Sequence, residues 1–277
     1  MKQFDKLGRR VITALAAVGI LIPALVWSAY GMWLFCVVVS GIGLWEYLRL
    51  TRIPQRSLRL LAYVLGAVFW LVVFLRLLLE PLGEMPLLAY LAPALLLFPL
   101  GAIALLFEKE EHQPLHALGM LMFGMIYCVL PFYLFFDLAV PALQKGYDFA
   151  LPIGLLFQTW TLDVVAYFGG NFFGKHPLFP RISPSKTWEG AIAGGLGCIA
   201  AGVLMQWGLQ PEGYNWVVPS VIFAVVAQLG DLAESMFKRS VSMKDSGGIL
   251  PGHGGMLDRF DGLILSLPFI YLYFLLT

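Results

Sequence analysis

The chain has 277 residues, 60% of them hydrophobic and only 13% charged. Soluble domains carry about 25% charged residues, so this composition excludes a water-exposed globule, and with it a disordered chain, a collagen-like repeat and a disulfide scaffold. A net charge of +1 offers no bulk attraction to nucleic acid, and no nucleic-acid partner is expected.

A helix that crosses a bilayer needs ~20 mostly apolar residues. About nine such runs follow one another, near residues 11–29, 32–48, 60–79, 87–107, 117–137, 151–169, 190–208, 217–236 and 260–276. The expected fold class is therefore all-α, a polytopic integral membrane protein folded as one domain. Lys2, Lys6, Arg9 and Arg10 precede the first run like the basic start of a signal peptide. That run is too long for a typical cleaved signal and further spans follow at once, so it reads as a retained anchor.

Orientation follows from the basic residues. With the N-terminus in the cytoplasm and the spans alternating, the cytoplasmic segments hold Lys2, Lys6, Arg9, Arg10, Arg49, Arg52, Arg56, Arg59, Lys109, Lys175, Arg181, Lys186, Lys238, Arg239, Lys244 and Arg259. Only Arg76 and Lys145 fall on the other side. The cluster Arg49, Arg52, Arg56 and Arg59 reads as a topogenic loop, or as a patch drawn to anionic headgroups at ~1 kcal/mol per basic residue. Cys36, Cys128 and Cys198 lie far apart in apolar runs without metal-ligand spacing. Residues 1–150 read as scaffold, and 151–277 carry most of the unusual polarity.

Three features of the second half bear chemistry. Asp163 lies inside an apolar run and shares a helix face with Thr159 and Tyr167. A carboxylate there costs at least ~2.5 kcal/mol unless paired or facing water, so it is an inter-helix hydrogen-bonding group or part of a site. Next, Gly169–Lys175 matches the start of a P-loop, but His176 stands where the Mg²⁺-binding Ser or Thr belongs and a membrane helix precedes it, which argues against that motif. Asn171 in this stretch is a candidate substrate ligand. In Ser183-Pro184-Ser185-Lys186-Thr187-Trp188-Glu189-Gly190, two prolines disfavour helix. Ser183, Ser185, Lys186 and Thr187 would suit phosphate oxygens; a capping loop is the alternative.

The third feature runs from Gln228 to Asp261. Asp231 rides the end of the eighth run; Asp258 and Asp261 share a face at the start of the ninth. Antiparallel packing of the two would bring Asp231 toward Asp258. The loop between them carries Lys238, Arg239, Lys244 and five glycines, Gly254 and Gly255 among them, which would let backbone approach a phosphate closely. Mg²⁺ takes one or two carboxylates plus substrate phosphates, which Asp231 and Asp258 suit; a charge-balanced structural network of these carboxylates and cations is the alternative, and zinc is disfavoured because His253 stands without cysteine nearby.

These residues also resemble a family. Ser235-x-Phe237-Lys238-Arg239, then Lys244-Asp245-x-Gly247, then Leu250-Pro251-x-His253-Gly254-Gly255-Met256-x-Asp258-Arg259-Phe260-Asp261 is similar to the signature of the phosphatidate cytidylyltransferases, or CDP-diacylglycerol synthases. The Ser183–Gly190 loop resembles that family as well. The resemblance implies transfer of the cytidylyl group of CTP to phosphatidic acid with release of pyrophosphate. It implies Mg²⁺ on Asp231 and Asp258, a second cation such as K⁺ near Asp261, and a homodimer.

The lipid phosphate is largely ionised at neutral pH, with a second pKa near ~6, so no general base is needed for its attack on the α-phosphorus. The difficulty is electrostatic, and Lys186, Lys238, Arg239, Lys244 and Arg259 would offset the charge. His253 would shape the glycine turn or donate to a phosphate, with a role as an acid as the alternative. The short loops and the lack of a transit peptide point to a bacterial inner membrane, with N-terminus and active site cytoplasmic. Two other classes stay open: a transporter using Asp163, Asp231 and Asp258 as relay sites, and a CTP-dependent lipid kinase.

Overall fold

The structure, a computed structural model, describes residues 19, 22, 23, 25–51, 53, 55–79, 87–108, 113–140, 147–209, 215–243, 245–249 and 254–276, with backbone alone for 87–95. Its helices are α1 (Ala29–Leu50), α2 (Arg56–Leu79), α3 (Leu87–Leu106), α4 (Pro114–Cys128), α5 (Leu130–Ala139), α6 (Ala150–Phe173), α7 (Trp188–Leu209), α8 (Val217–Ser240) and α9 (Leu257–Leu276). The described sheet is a single antiparallel hairpin, β1 (Pro177–Phe179) and β2 (Ser183–Thr187), between α6 and α7. In hydrocarbon every backbone N–H and C=O must be satisfied within the segment, which is why apolar runs become helices.

Among the described residues, α1, α2, the joined α4–α5, α6, α7, α8 and α9 are long and apolar enough to cross a bilayer. The expected count of about nine is thus not reached in this set. Helix α3 matches the fourth expected run, and the run near 11–29 falls mostly outside the described residues. The run near 117–137 is broken after Cys128, where Pro131 in the first turn of α5 has no N–H to continue the ladder. Large apolar side chains such as Trp27, Leu204, Trp207 and Leu275 face outward, a surface that suits lipid and not water.

Contacts sort the connections between ends of the bundle. At one end, Ser57 Oγ donates to Glu108, Lys186 pairs with Asp231, and Glu46 near the end of α1 accepts hydrogen bonds from Met256 and Leu257 at the start of α9. The α1–α2, α3–α4, α6–α7 and α8–α9 connections therefore share one end, as alternating spans require. At the other end, Asp137 of α5 joins Arg76 of α2 at 2.5 Å and Tyr271 of α9 at 2.7 Å.

Small residues set the closest helix approaches. A Cβ on Gly190 of α7 would stand 2.8 Å from the Ala166 carbonyl oxygen of α6 and 3.0 Å from Gly170 Cα. Both are backbone atoms, which cannot swing away. Gly190→Ala should therefore destabilise the protein by about 1–3 kcal/mol, read as a lower thermal midpoint in detergent. An unchanged midpoint would mean that α6 and α7 are free to separate. In the same way, a Cβ on Gly230 would lie 2.7 Å from the Asp261 carbonyl oxygen and 3.1 Å from Gly262 Cα. That contact brings Asp231 and Asp261, the immediate neighbours of these two glycines, to the same helix seam.

Candidate active site

A cavity of about 430 Å³ opens beside this seam, within the usual range for small-molecule sites. Helix α6 lends it Thr159, Asp163, Tyr167 and Asn171; β2 lends Ser185, Lys186 and Thr187; α8 lends Gln228 and Asp231; α9 lends Asp261 and Gly262. The shared face Thr159–Asp163–Tyr167 expected from spacing thus turns to the cavity. Asp163 has Asp231, Arg259 and Lys186 as its charged neighbours, and Asp261 has Asp231, Glu234 and Asp163. Three carboxylates repel one another here, and Lys186, paired with Asp231, is the cation lining the cavity itself.

The hairpin carries Lys186 to this position. Glu189, in the first turn of α7, accepts from the backbone N–H groups of Lys175 (3.0 Å) and His176 (3.2 Å) and sits 2.5 Å from the His176 ring. The His176 carbonyl in turn accepts from Trp188 N–H at 2.9 Å, closing the hairpin at its base. Thr187 Oγ1 accepts from Gly190 N–H at 3.2 Å and so caps α7. Both readings of this stretch hold in part: Thr187 caps α7 and also lines the cavity with Ser185 and Lys186, while Glu189 ties the hairpin to α7. Ser183 lies at the hairpin tip opposite Phe179 and does not line the cavity.

Asp258 takes a different place from Asp231 and Asp261. Lys238 Nζ donates to its Oδ1 at 2.6 Å, Gly255 N–H to its Oδ2 at 2.8 Å, and Ser246 N–H to both oxygens at 3.1 and 3.2 Å. Its acceptor sites are taken up by the protein, and it stays off the cavity lining. Lys238 also donates to Glu234 at 2.7 Å, forming a buried Glu234–Lys238–Asp258 group. Gly254 has φ +86°, a turn that glycine adopts without strain, and packs on Asp258 Oδ2. Arg239 is exposed and donates to the Met243 carbonyl at 3.3 Å. Lys244 and His253 lie outside the described residues.

Sequence reasoning missed Glu46. This fully buried carboxylate of α1 accepts from Met256 N–H and Leu257 N–H, each at 2.9 Å, and from Ser246 Oγ at 3.1 Å. The available signal was one carboxylate inside the apolar run 32–48.

Among the described residues no three His, Cys, Asp or Glu side chains form a ready-made metal site. Mg²⁺ does not need one, because it binds through one or two carboxylates and keeps water or phosphate on its other positions. The hard oxygen donors of Asp231 and Asp261 fit that pattern.

A bundle of helices apolar enough to cross a membrane, with carboxylates, hydroxyls and a lysine around a ligand-sized cavity, suits phosphate chemistry at a bilayer. The chain belongs to the cytidylyltransferase family, whose sequence model matches residues 8–277. It is 32% identical over 276 residues to a phosphatidate cytidylyltransferase of Brucella abortus, covering 97% of this chain and 93% of that one. It is 31% identical over 263 residues to one from Staphylococcus epidermidis, covering 94% and 96%. A chloroplastic phosphatidate cytidylyltransferase 4 of Arabidopsis thaliana is 40% identical over 194 residues, covering 60% of this chain and 47% of that one.

Proposed function

We propose that this enzyme transfers the cytidylyl group of CTP to phosphatidic acid, giving CDP-diacylglycerol and pyrophosphate for phospholipid synthesis. One observation carries the reading: Asp231, Asp261 and Lys186 converge on a cavity that also offers Ser185, Thr187 and Asn171. The names of the relatives supply the two substrates. Acyl chains would stay in the bilayer while the headgroup reaches the cavity, and CTP would enter from the cytosol, on which the α6–α7 and α8–α9 connections are taken to open.

The residues divide the work. Lys186 leaves Asp231 to meet the triphosphate, a charge-assisted contact. Ser185, Thr187 and Asn171 donate to phosphate or base. Arg259, near Asp163, adds positive charge on the α9 side. The ionised lipid phosphate then attacks the α-phosphorus as the bond to pyrophosphate breaks, and no protein base takes a proton. Asp231 and Asp261 would hold Mg²⁺, with Asp258 joining only by giving up its Ser246 or Gly255 N–H. Bound there, the ion would offset charge on the two polyanions.

Purified protein given CTP, Mg²⁺ and phosphatidic acid without any gradient should form CDP-lipid; none formed under those conditions would favour a transporter. Lys186→Ala should lower kcat/KM for CTP roughly tenfold to a hundredfold, the worth of one charged hydrogen bond, chiefly through KM. Initial rates at varied CTP read this directly. An altered phosphatidate dependence with normal CTP dependence would place Lys186 on the lipid side instead.

A further inference from the structure

Glu46 is a carboxylate with 0% exposure, on a helix that lends no side chain to the cavity. Among the described residues no cation pairs with it. Burying such a group is costly unless hydrogen bonds replace its water, and an apolar side chain would pack there more cheaply. What it gains is specific: three donors, all from the segment that leads into α9. Two of them, the N–H groups of Met256 and Leu257, belong to the α9 N-terminus, so this carboxylate already holds the anion position that a substrate phosphate would otherwise find there.

The glycines of the segment fit the same account. A Cβ on Gly247 would run into Glu46 Oε1, and one on Gly255 would press on both Glu46 oxygens at 2.7 Å and on Ser246 Oγ. These positions are small because Glu46 is there, whereas the sequence alone suggested close approach to a ligand. Ser246 joins the two halves of the network. Its hydroxyl donates to Glu46 and its N–H donates to Asp258, which Lys238 also holds. A continuous line of hydrogen bonds thus runs from α1 through Glu46, Ser246 and Asp258 to Lys238 on α8.

We propose that Glu46 is a positioning residue for the transfer reaction: by clamping Ser246, Met256 and Leu257 to α1 it fixes Asp258, and through it Lys238, at the edge of the α8–α9 seam. The inference rests on the cytidylyl-transfer reading. Glu46 touches neither substrate and acts through Ser246 and the start of α9.

Glu46→Gln keeps the shape but turns one acceptor into an N–H₂ group facing protein donors. In the full-length protein in detergent, hydrogen exchange at Met256 and Leu257 should quicken at least about tenfold, with α8 protection retained. In the same preparation kcat should fall roughly 10–100-fold, the scale of a small misplacement of reacting groups. KM for CTP should stay within about twofold, and the apparent Mg²⁺ activation constant should shift, because the hold on Asp258 changes. A smaller pool of intact enzyme would lower kcat and leave that constant where it was, which would overturn the proposal. So would loss of protection throughout the bundle, or unchanged kcat despite faster exchange at 256 and 257. Should Glu46→Gln fail to accumulate in membranes, Ser246→Ala removes one donor while leaving the carboxylate its two N–H partners. It should show the same changes in smaller measure, and wild-type kinetics from it would overturn the clamp. A wild-type chain that forms no CDP-lipid overturns the transfer reading and this inference together. An active wild type with an equally active Glu46→Gln overturns this inference alone.

Discussion

Asp231→Asn should lower kcat for CDP-lipid formation by roughly 10²–10³-fold, the usual cost of removing one preorganised charge from a reacting centre. Asp231 lines the cavity, pairs with Lys186, and is a charged neighbour of both Asp163 and Asp261. Its replacement frees Lys186 and removes one repulsive partner of the triphosphate, so KM for CTP should not rise. The apparent Mg²⁺ activation constant should. Steady-state kinetics on purified protein, with CTP and Mg²⁺ varied independently, separate these effects. Near-wild-type turnover would show that Asp231 neither holds the ion nor orders Lys186. Asp258→Asn supplies the contrast. It disturbs a residue engaged by Lys238, Ser246 and Gly255, so it should lower turnover without preventing membrane insertion.

Lys238→Met carries the largest effect on stability. Lys238 bridges Glu234 and Asp258, whose side chains are 3% and 8% exposed. Without the cation, two buried carboxylates face each other, a change that costs about 3–5 kcal/mol when one partner of a buried ion pair is lost. For a chain of this size that corresponds to a fall in thermal midpoint on the order of 10 °C. Adding Glu234→Gln should recover part of the loss, because one of the opposed charges is then gone. Thermal unfolding of the single and double variants in detergent tests this. A single variant as stable as wild type would mean that the group contributes no net stability.

How far the molecule can be read from its sequence depends on the distance over which each feature is encoded. Asp231, Asp261, Lys186 and Asn171 were legible because each lies in a short polar segment set against apolar runs. The apolar runs likewise marked the helices, since hydrocarbon leaves the backbone few other options. The β1–β2 hairpin was visible only as a stretch unsuited to helix. Its closure depends on Glu189 reaching back 13 and 14 residues to the His176 and Lys175 N–H groups. Glu46 reads as scaffold in the sequence because its partners lie about two hundred residues away, at Ser246, Met256 and Leu257. For the same reason Gly247 and Gly255 look in sequence like ligand contacts, whereas in the structure a side chain of α1 fills the space beside them. Asp258 is expected beside Asp231 from its shared face with Asp261, from antiparallel packing of the last two spans and from the family resemblance. In the structure Lys238 and the N–H groups of Ser246 and Gly255 hold its carboxylate, and it does not line the cavity.

The fate of the individual phosphorus atoms of CTP tests the central claim most directly. Purified protein incubated with phosphatidic acid, Mg²⁺ and CTP labelled at either the α- or the γ-phosphorus should place the α label in lipid and the γ label in pyrophosphate. Recovery of the γ label in lipid with release of CDP would identify a kinase and contradict cytidylyl transfer.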